Sequence, residues 1–278
     1  MNNGKTASTS GLFFGVKARL KRGALWFRSS MLEPATFGRR LAKCDPVLVF
    51  QMGKVASTSV YYAAKESYPG AVVHTHWLTA DHADWQVRRL YREVYAARRP
   101  LRVITLTREP IGRNLSAFFQ NYEELTGTAR GEVEFSVAEL TELFLEKYHH
   151  DFPLTWFEDN IERYFGVDVY AEPFPDRGYQ QHERGNVRLL LLRSELDDRD
   201  KAQAVGEFLD LPQLAIRPRN VGERKGYGDE YGRFKNAVKL PPEYIERMCA
   251  SRYFQHFYAA ETIDSVRAKW LARLENVA

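Results

Sequence analysis

Three stretches of the chain bring together residue types that could do chemistry. The first is "VFQMGKVASTSVYY", residues 49–62, where apolar residues run into Gly53-Lys54, then a Ser/Thr cluster, then a helix-compatible segment. A turn from strand to helix aims several backbone N–H groups at one spot, beside the positive end of the helix dipole. Gly53 allows a tight turn and Ala56 keeps the backbone accessible. Ser57, Thr58 and Ser59 supply hydroxyl donors in the first helical turn, and Lys54 adds a mobile point charge. The chemistry is anion binding; the plainer alternative is an N-capped helix with a surface lysine. The Walker A spacing is not met, because Leu48 stands at its first glycine and Val55 at its Mg²⁺-binding hydroxyl.

The second stretch is "VITLTREPIGRNLSAFFQN", residues 103–121. Arg108 emerges from the end of an apolar run, and Pro110 suits the first turn of a helix. Ile111, Leu115, Phe118, Phe119 and Tyr122 form an apolar stripe at helical spacing, which leaves Gly112, Arg113, Ser116 and Gln120 on a polar side. Arg108 and Ser116 can then converge on one anion, through a planar fork and a hydroxyl. The alternative is an exposed polar helix face.

The third is His74-Thr75-His76, at the end of "AVVHTH" (71–76). His74 and His76 alternate to one face of that run. Asp81 and His82 follow, and His149-His150-Asp151 stands apart. Adjacent histidines cannot easily share one ion and no third ligand is evident, so no metal is expected.

These residues need elements to position them. Four runs rich in Val, Ile and Leu, at 46–51, 71–76, 101–107 and 187–193, read as buried parallel strands. Helical patterns at 57–68, 80–97 and 110–124 alternate with them, which predicts an α/β domain around a central parallel sheet. Residues 136–165 read as two helices joined near Asp151-Phe152-Pro153, and the chain from 199 onward reads as helical apart from a basic loop, "RPRNVGERKGYGDEYGRFK" (217–235). Ligands of open α/β sheets gather outside the carboxyl ends of the strands, where all three stretches fall.

Lys54-Val55-Ala56-Ser57-Thr58, followed some fifty residues later by Arg108-Glu109-Pro110 and Ser116, resembles the sulfotransferases that use 3′-phosphoadenosine 5′-phosphosulfate (PAPS). In that superfamily a K-x-G-[ST]-[ST] loop holds the 5′-phosphosulfate and an R-x-P…S segment holds the 3′-phosphate. "LLLLRSELDD" (189–198), "KGYGDEYGRFK" (225–235) and "SRYFQHFYAAETI" (251–263) extend the resemblance toward the bacterial branch named for capsular polysaccharide synthesis. Ala56 departs from the family glycine and fits there if its φ is negative.

The resemblance implies a P-loop-like three-layer α/β fold, a central parallel sheet flanked by helices, with a helical C-terminal region. It implies PAPS as the donor, without a metal, and a hydroxyl-bearing acceptor, a saccharide or polysaccharide. Lys54 and residues 55–59 would hold the phosphosulfate; Arg108, Ser116 and the Arg224-Lys225-Gly226 segment would hold the 3′-phosphate. His76 matches the family's general base, with Glu109 as a carboxylate rival or merely a helix cap. Trp77, Trp85, Tyr122 and Trp156 are candidates for a sugar-stacking cleft, and Tyr227, Tyr231 and Phe234 could cover an adenine or anchor the basic loop in the core.

Composition sets the outer bounds. The chain has 278 residues, 44% hydrophobic and 27% charged, which suits one soluble domain over 44–278. A net charge of +4 accords with an anionic ligand and does not call for nucleic acid. Two distant cysteines, Cys44 and Cys249, favour a reducing, cytoplasmic setting over a disulfide framework. No run approaches the roughly 18–20 apolar residues of a membrane span. Residues 1–43 form a basic N-terminal arm with interspersed aromatics, which touches an anionic membrane surface, frays, or contributes an early helix packed on the body. Two other function classes fit the same residues: a P-loop kinase or NTPase, and a non-catalytic binder of acidic glycans or lipids.

Overall fold

The computed structural model describes residues 33–129, 132–217 and 228–275. In chain order the elements are α1 (Glu33–Lys43), β1 (Val47–Phe50), α2 (Ser57–Ser67), β2 (Val72–Thr75), α3 (Trp85–Leu90), β3 (Leu101–Thr107), α4 (Pro110–Gln120), α5 (Tyr122–Thr126), α6 (Val137–Lys147) and α7 (Phe152–Trp156). They continue with β4 (Tyr179–Arg184), β5 (Val187–Arg193), α8 (Asp198–Leu209), α9 (Gly228–Ala237), α10 (Pro242–Cys249), α11 (Arg252–Phe257) and α12 (Ala260–Glu275). Helix α3 runs on into a π-helical turn (Tyr91–Tyr95), as α7 does (Phe157–Glu162).

The strands form one sheet in the order β2-β1-β3-β5-β4. β1 pairs in parallel with β2 and β3, and β3 with β5. Every residue of β1 is buried, and consecutive core residues of β3 and β5 are buried too. Because successive side chains point to opposite faces, both faces of the sheet are covered. From β1 the chain adds β2 on one side and then returns to add β3 on the other. The crevice between the ends of β1 and β3 is therefore the topological switch point.

The sheet is mostly parallel rather than wholly so. β4 is an antiparallel edge strand, joined to β5 across Gly185-Asn186, with Arg184 facing Val187 and Gly185 at φ 59°. Its sequence, "YQQHER", is too polar to read as a buried strand, and its charge shields the open sheet edge. The neighbouring Gly-Asn dipeptide was its one sequence signal.

Two helices also depart from expectation. In α4 every residue from Pro110 to Phe119 is buried, so the polar side is covered rather than exposed. Part of the 217–235 loop is the helix α9, whose glycines are overridden by packing. Phe234 is fully buried there, and Tyr231 and Phe234 contact Phe119 at ring distances of 5.2 and 5.1 Å. These two aromatics anchor the segment in the core. At the other end, α1 packs on the body through Phe37 and Leu41. Among the described residues, no helix is long and apolar enough to cross a membrane.

Candidate functional site

The loop from β1 to α2 is pinned from below. Gln51, Met52 and Val55 are buried, so their side chains hold the turn against the core while Gly53, Lys54 and Ala56 reach toward solvent. The left-handed positions are Lys54 (φ 72°) and Ala56 (φ 58°, ψ 24°). Ala56 thus has the positive φ for which glycine is the relaxed residue, contrary to the negative value its type would prefer. Gly53 is not among the positive-φ residues, and a Cβ there would meet nothing within 4 Å. The turn therefore does not depend on the glycine that the sequence offers. Helix α2 begins at Ser57 with Ala56 as N-cap and no side-chain capping bond. Val55 is core, and the hydroxyl of Ser57 turns inward to the His74 ring, leaving Thr58 and Ser59 as the partly exposed hydroxyls of that helical turn.

The two histidines at the end of β2 contact Gln51, which follows β1. His76 Nδ1 lies 2.9 Å from the Gln51 carbonyl oxygen. A carbonyl only accepts, so this bond needs a proton on Nδ1, and in the neutral ring that tautomer puts the lone pair on Nε2. The Gln51 side-chain amide sits 3.0 Å from His74 Nε2 and 3.1 Å from His76 Nδ1, and Ser57 Oγ is 3.0 Å from His74 Nε2. Tyr61 stacks on His74 at 5.2 Å. Burial and the neighbouring His76 pull the pKa of His74 down to about 4, so at neutral pH it is an uncharged support for His76.

The turn from β3 to α4 is built differently. Glu109 caps α4, its two carboxylate oxygens accepting from Ile111 N–H (3.0 Å) and Gly112 N–H (2.7 Å), with Pro110 in the first turn. Burial pushes the Glu109 carboxyl above its ordinary pKa, against the pull of Arg108. Both oxygens are thus engaged in the cap, the plainer of its two expected roles. The hydroxyl of buried Tyr253 donates to the Arg108 carbonyl (2.8 Å), accepts from the Arg108 N–H (3.0 Å) and meets Thr107 Oγ1. Arg108 itself crosses the switch point, its Nη1 donating to the Lys54 carbonyl at 2.8 Å.

Arg113, placed by sequence only on a polar helix face, is the candidate-site residue that sequence reasoning missed. It is 3% exposed. Its Nε donates to the Gly53 carbonyl (3.1 Å), and Nη1 to Tyr148 Oη (2.6 Å) and Asn114 Oδ1 (3.2 Å), with Phe152 beneath the guanidinium at 4.7 Å. Burial lowers its pKa from the ordinary guanidinium value. Every one of these acceptors is neutral, and among the described residues no carboxylate forms an ion pair with it. Helices α6 and α7, which bury Arg113, lie too far along the chain for helix periodicity to anticipate.

Lys54, His76 and Arg113 share one cavity of about 380 Å³ at the carboxyl edge of the sheet, with Gly53, Trp77 and Gln120 also in its wall. Arg108 and Ser116 are not among its lining residues. Ser116 is buried on α4, and no hydrogen bond joins it to Arg108. Of the aromatic candidates, Trp77 is 57% exposed at the cavity, whereas Trp156 is its buried floor, Tyr122 is core and Trp85 packs edge-on against Phe37. Arg224, Lys225, Gly226 and Tyr227 lie outside the described residues.

The remaining polar candidates have structural partners. His82 contacts Thr75 and takes the Asp84 N–H, His150 is enclosed by Phe144 and Tyr244, and Asp151 pairs with Arg247. Among the described residues, no group of three or more His, Cys, Asp or Glu side chains is placed to hold a metal.

Compared with known families, residues 132–259 match the model described as "Putative capsular polysaccharide synthesis protein". The chain is similar to that family over this stretch, which contains Tyr148, Phe152, Trp156 and Tyr253. Lys54, His76, Arg108 and Arg113 precede it. No curated protein and no solved structure matches the chain.

Proposed function

We propose that the chain is a P-loop-like sulfotransferase of capsular polysaccharide synthesis, moving a sulfuryl group from PAPS to a saccharide hydroxyl at the cytoplasmic side. The observation that carries this reading is the buried charge of Arg113, which among the described residues is held by neutral acceptors at the β1 loop. Arg113 is buried on neutral acceptors, Arg108 is bonded to the Lys54 carbonyl, and Lys54 stands on the same turn. A desolvated cation without a counter-charge is costly, and an anionic ligand relieves that cost. The start of α2, where the N-cap residue contributes no side-chain bond, favours the same ligand.

In this mechanism the acceptor oxygen attacks sulfur in line with the departing 5′-phosphate oxygen. The new O–S bond forms as the old one breaks, and the acceptor proton passes to His76 Nε2. The products are a sulfate ester and 3′-phosphoadenosine 5′-phosphate. Lys54 stabilises charge growing on the leaving oxygen, with the loop residues Val55, Ala56, Ser57, Thr58 and Ser59 shaping the cradle. The Gln51 carbonyl accepts from the Nδ1–H tautomer of His76, in which the neutral ring offers Nε2 for that proton. Arg108 supports the loop and the nucleotide end, joined by Arg224 and Lys225. Positioning and electrostatics supply most of the acceleration, as in phosphoryl transfer.

The test is to assay donor turnover and thermal stabilisation by 3′-phosphoadenosine 5′-phosphate in the full chain. Lys54→Ala should reduce turnover by on the order of 10²-fold or more, as loss of an oxyanion donor does. Stabilisation by ATP·Mg²⁺ in place of the adenosine bisphosphate would replace this reading with a P-loop kinase or NTPase. Undiminished turnover in Lys54→Ala would remove the loop from the chemistry.

A further inference from the structure

The cavity wall says more about the acceptor than its being a saccharide. Trp77 directly follows His76, and its indole is 57% exposed. Among the described residues, Trp77 and Val133 are the exposed large hydrophobic side chains, and Trp77 is the one that lines this cavity. An aromatic face left open to water beside a catalytic base has a clear use. Its negative π-face attracts the slightly positive C–H face of a pyranose ring, while the ring hydroxyls stay free at the edge. The volume, about 380 Å³, is at the lower end for pockets that enclose a small ligand. It suits the end of a glycan rather than a long bound segment.

The charges of the wall narrow the class. Lys54, Arg113 and Lys147 line the cavity against a single carboxylate, Glu124. Lys54 and Arg113 belong to the donor side described above. Lys147 is left, exposed in the last turn of α6, and among the described residues it forms no ion pair. His149, also exposed on this wall, adds a hydrogen-bond donor two residues on. A neutral sugar would leave this cation without a use. A carboxylate would meet it as a charge-assisted hydrogen bond.

We propose, building on the transfer reading above, that the acceptor is a carboxylate-bearing sugar that stacks on Trp77 and sets its carboxylate against Lys147 and His149. Stacking holds the ring beside His76, and the carboxylate selects which hydroxyl faces Nε2. The acceptor is then a uronic acid unit of an acidic glycan.

Calorimetric titration of the full chain, saturated with 3′-phosphoadenosine 5′-phosphate, tests this. The probes are a glucuronic acid oligomer and a glucose oligomer of the same length and linkage. The acidic oligomer should bind about ten-fold tighter. Trp77→Ala, at an exposed position that the fold does not need, should weaken both oligomers by about ten-fold. Lys147→Gln should lower the acidic oligomer to the level of the neutral one and leave the neutral one unchanged. Equal affinity for the two oligomers in the wild type would overturn the proposal, as would Trp77→Ala binding both like the wild type. If the nucleotide binds while the oligomers are not distinguished, the acceptor inference falls alone. If the acidic oligomer binds selectively but the nucleotide does not bind, the transfer reading falls and the sugar site stands.

Discussion

Two strand-to-helix junctions meet at the same edge of the sheet, and each must settle the positive end of a helix. After β3, the chain does so with its own charge. Glu109 caps α4 through both oxygens, Pro110 fits the first turn, and Tyr253 clasps the Arg108 peptide from both sides. After β1, among the described residues, no carboxylate caps the helix. The N-cap is Ala56 without a side-chain bond, two non-glycine residues sit in the left-handed region, and arginines from the other junction surround the turn. The difference separates a junction capped by its own carboxylate from one whose N-cap side chain makes no bond. In the R-x-P segment Arg108 offers its guanidinium to the loop, while the amides of Ile111 and Gly112 are already taken by Glu109.

The largest effect should come from removing the cation that makes the first junction electrically incomplete. Arg113→Met keeps much of the side-chain length and discards the charge. We expect affinity for 3′-phosphoadenosine 5′-phosphate to fall by roughly 10²-fold, about 2.7 kcal/mol, in calorimetry. The ligand-free protein should change little in melting temperature, because removing the buried charge offsets the acceptors left without a donor. A lower melting temperature with unchanged affinity would mean that Arg113 merely braces the Gly53 carbonyl, and the contrast between the junctions would collapse.

A middle-sized effect should appear as a pH dependence that His74 contributes at the first junction. His74 faces Gln51, Ser57, Tyr61 and His76, and its folded pKa of about 4 lies below the ordinary histidine value. Between those two values the unfolded chain binds a proton that the folded chain refuses. Stability is therefore lost as the pH falls through that window and is constant above it. Since His74 is partly exposed, the loss from pH 7 to pH 5 should be on the order of 1–2 kcal/mol, read from urea midpoints. In His74→Gln that portion should vanish. A variant with the wild-type slope would show that His74 does not hold the proton balance of this junction.

The part of this contrast visible in the sequence is the placement, not the energetics. The runs at 46–51, 71–76, 101–107 and 187–193 gave the parallel strands because burial on both faces leaves an unbroken apolar signature. Strand ends then put Lys54, His76 and Arg108 at one edge without any structure. β4 escaped because an edge strand is polar by necessity. The α4 stripe showed which side of that helix is apolar but could not show that α6 and α7 cover the other side, so Arg113 read as a surface residue. Glu109 and Pro110 carry their helix-start role in their types, whereas Ala56 has no letter that announces a left-handed backbone. Side-chain chemistry at the second junction was readable, and backbone conformation at the first was not.

The smallest predicted effect probes that hidden conformation. Ala56 at φ 58° carries strain of about 1 kcal/mol that glycine would not. Ala56→Gly releases it and loses part of the gain to the greater freedom of the unfolded chain, leaving about 0.5 kcal/mol of added stability by denaturant titration. Gly53→Ala is the matched control: its φ is not left-handed and its Cβ site is open, so it should also be neutral or stabilising by a few tenths of a kcal/mol. Opposite signs from these would place the left-handed residue at Gly53, three positions before Ala56. Strain relieved at Ala56 with turnover reduced would carry a further meaning. Strain held at a site costs stability, and persists where the shape it enforces is used. The first junction would then keep its alanine for the cradle it shapes, while the second, already closed by Glu109, has no strain to exchange.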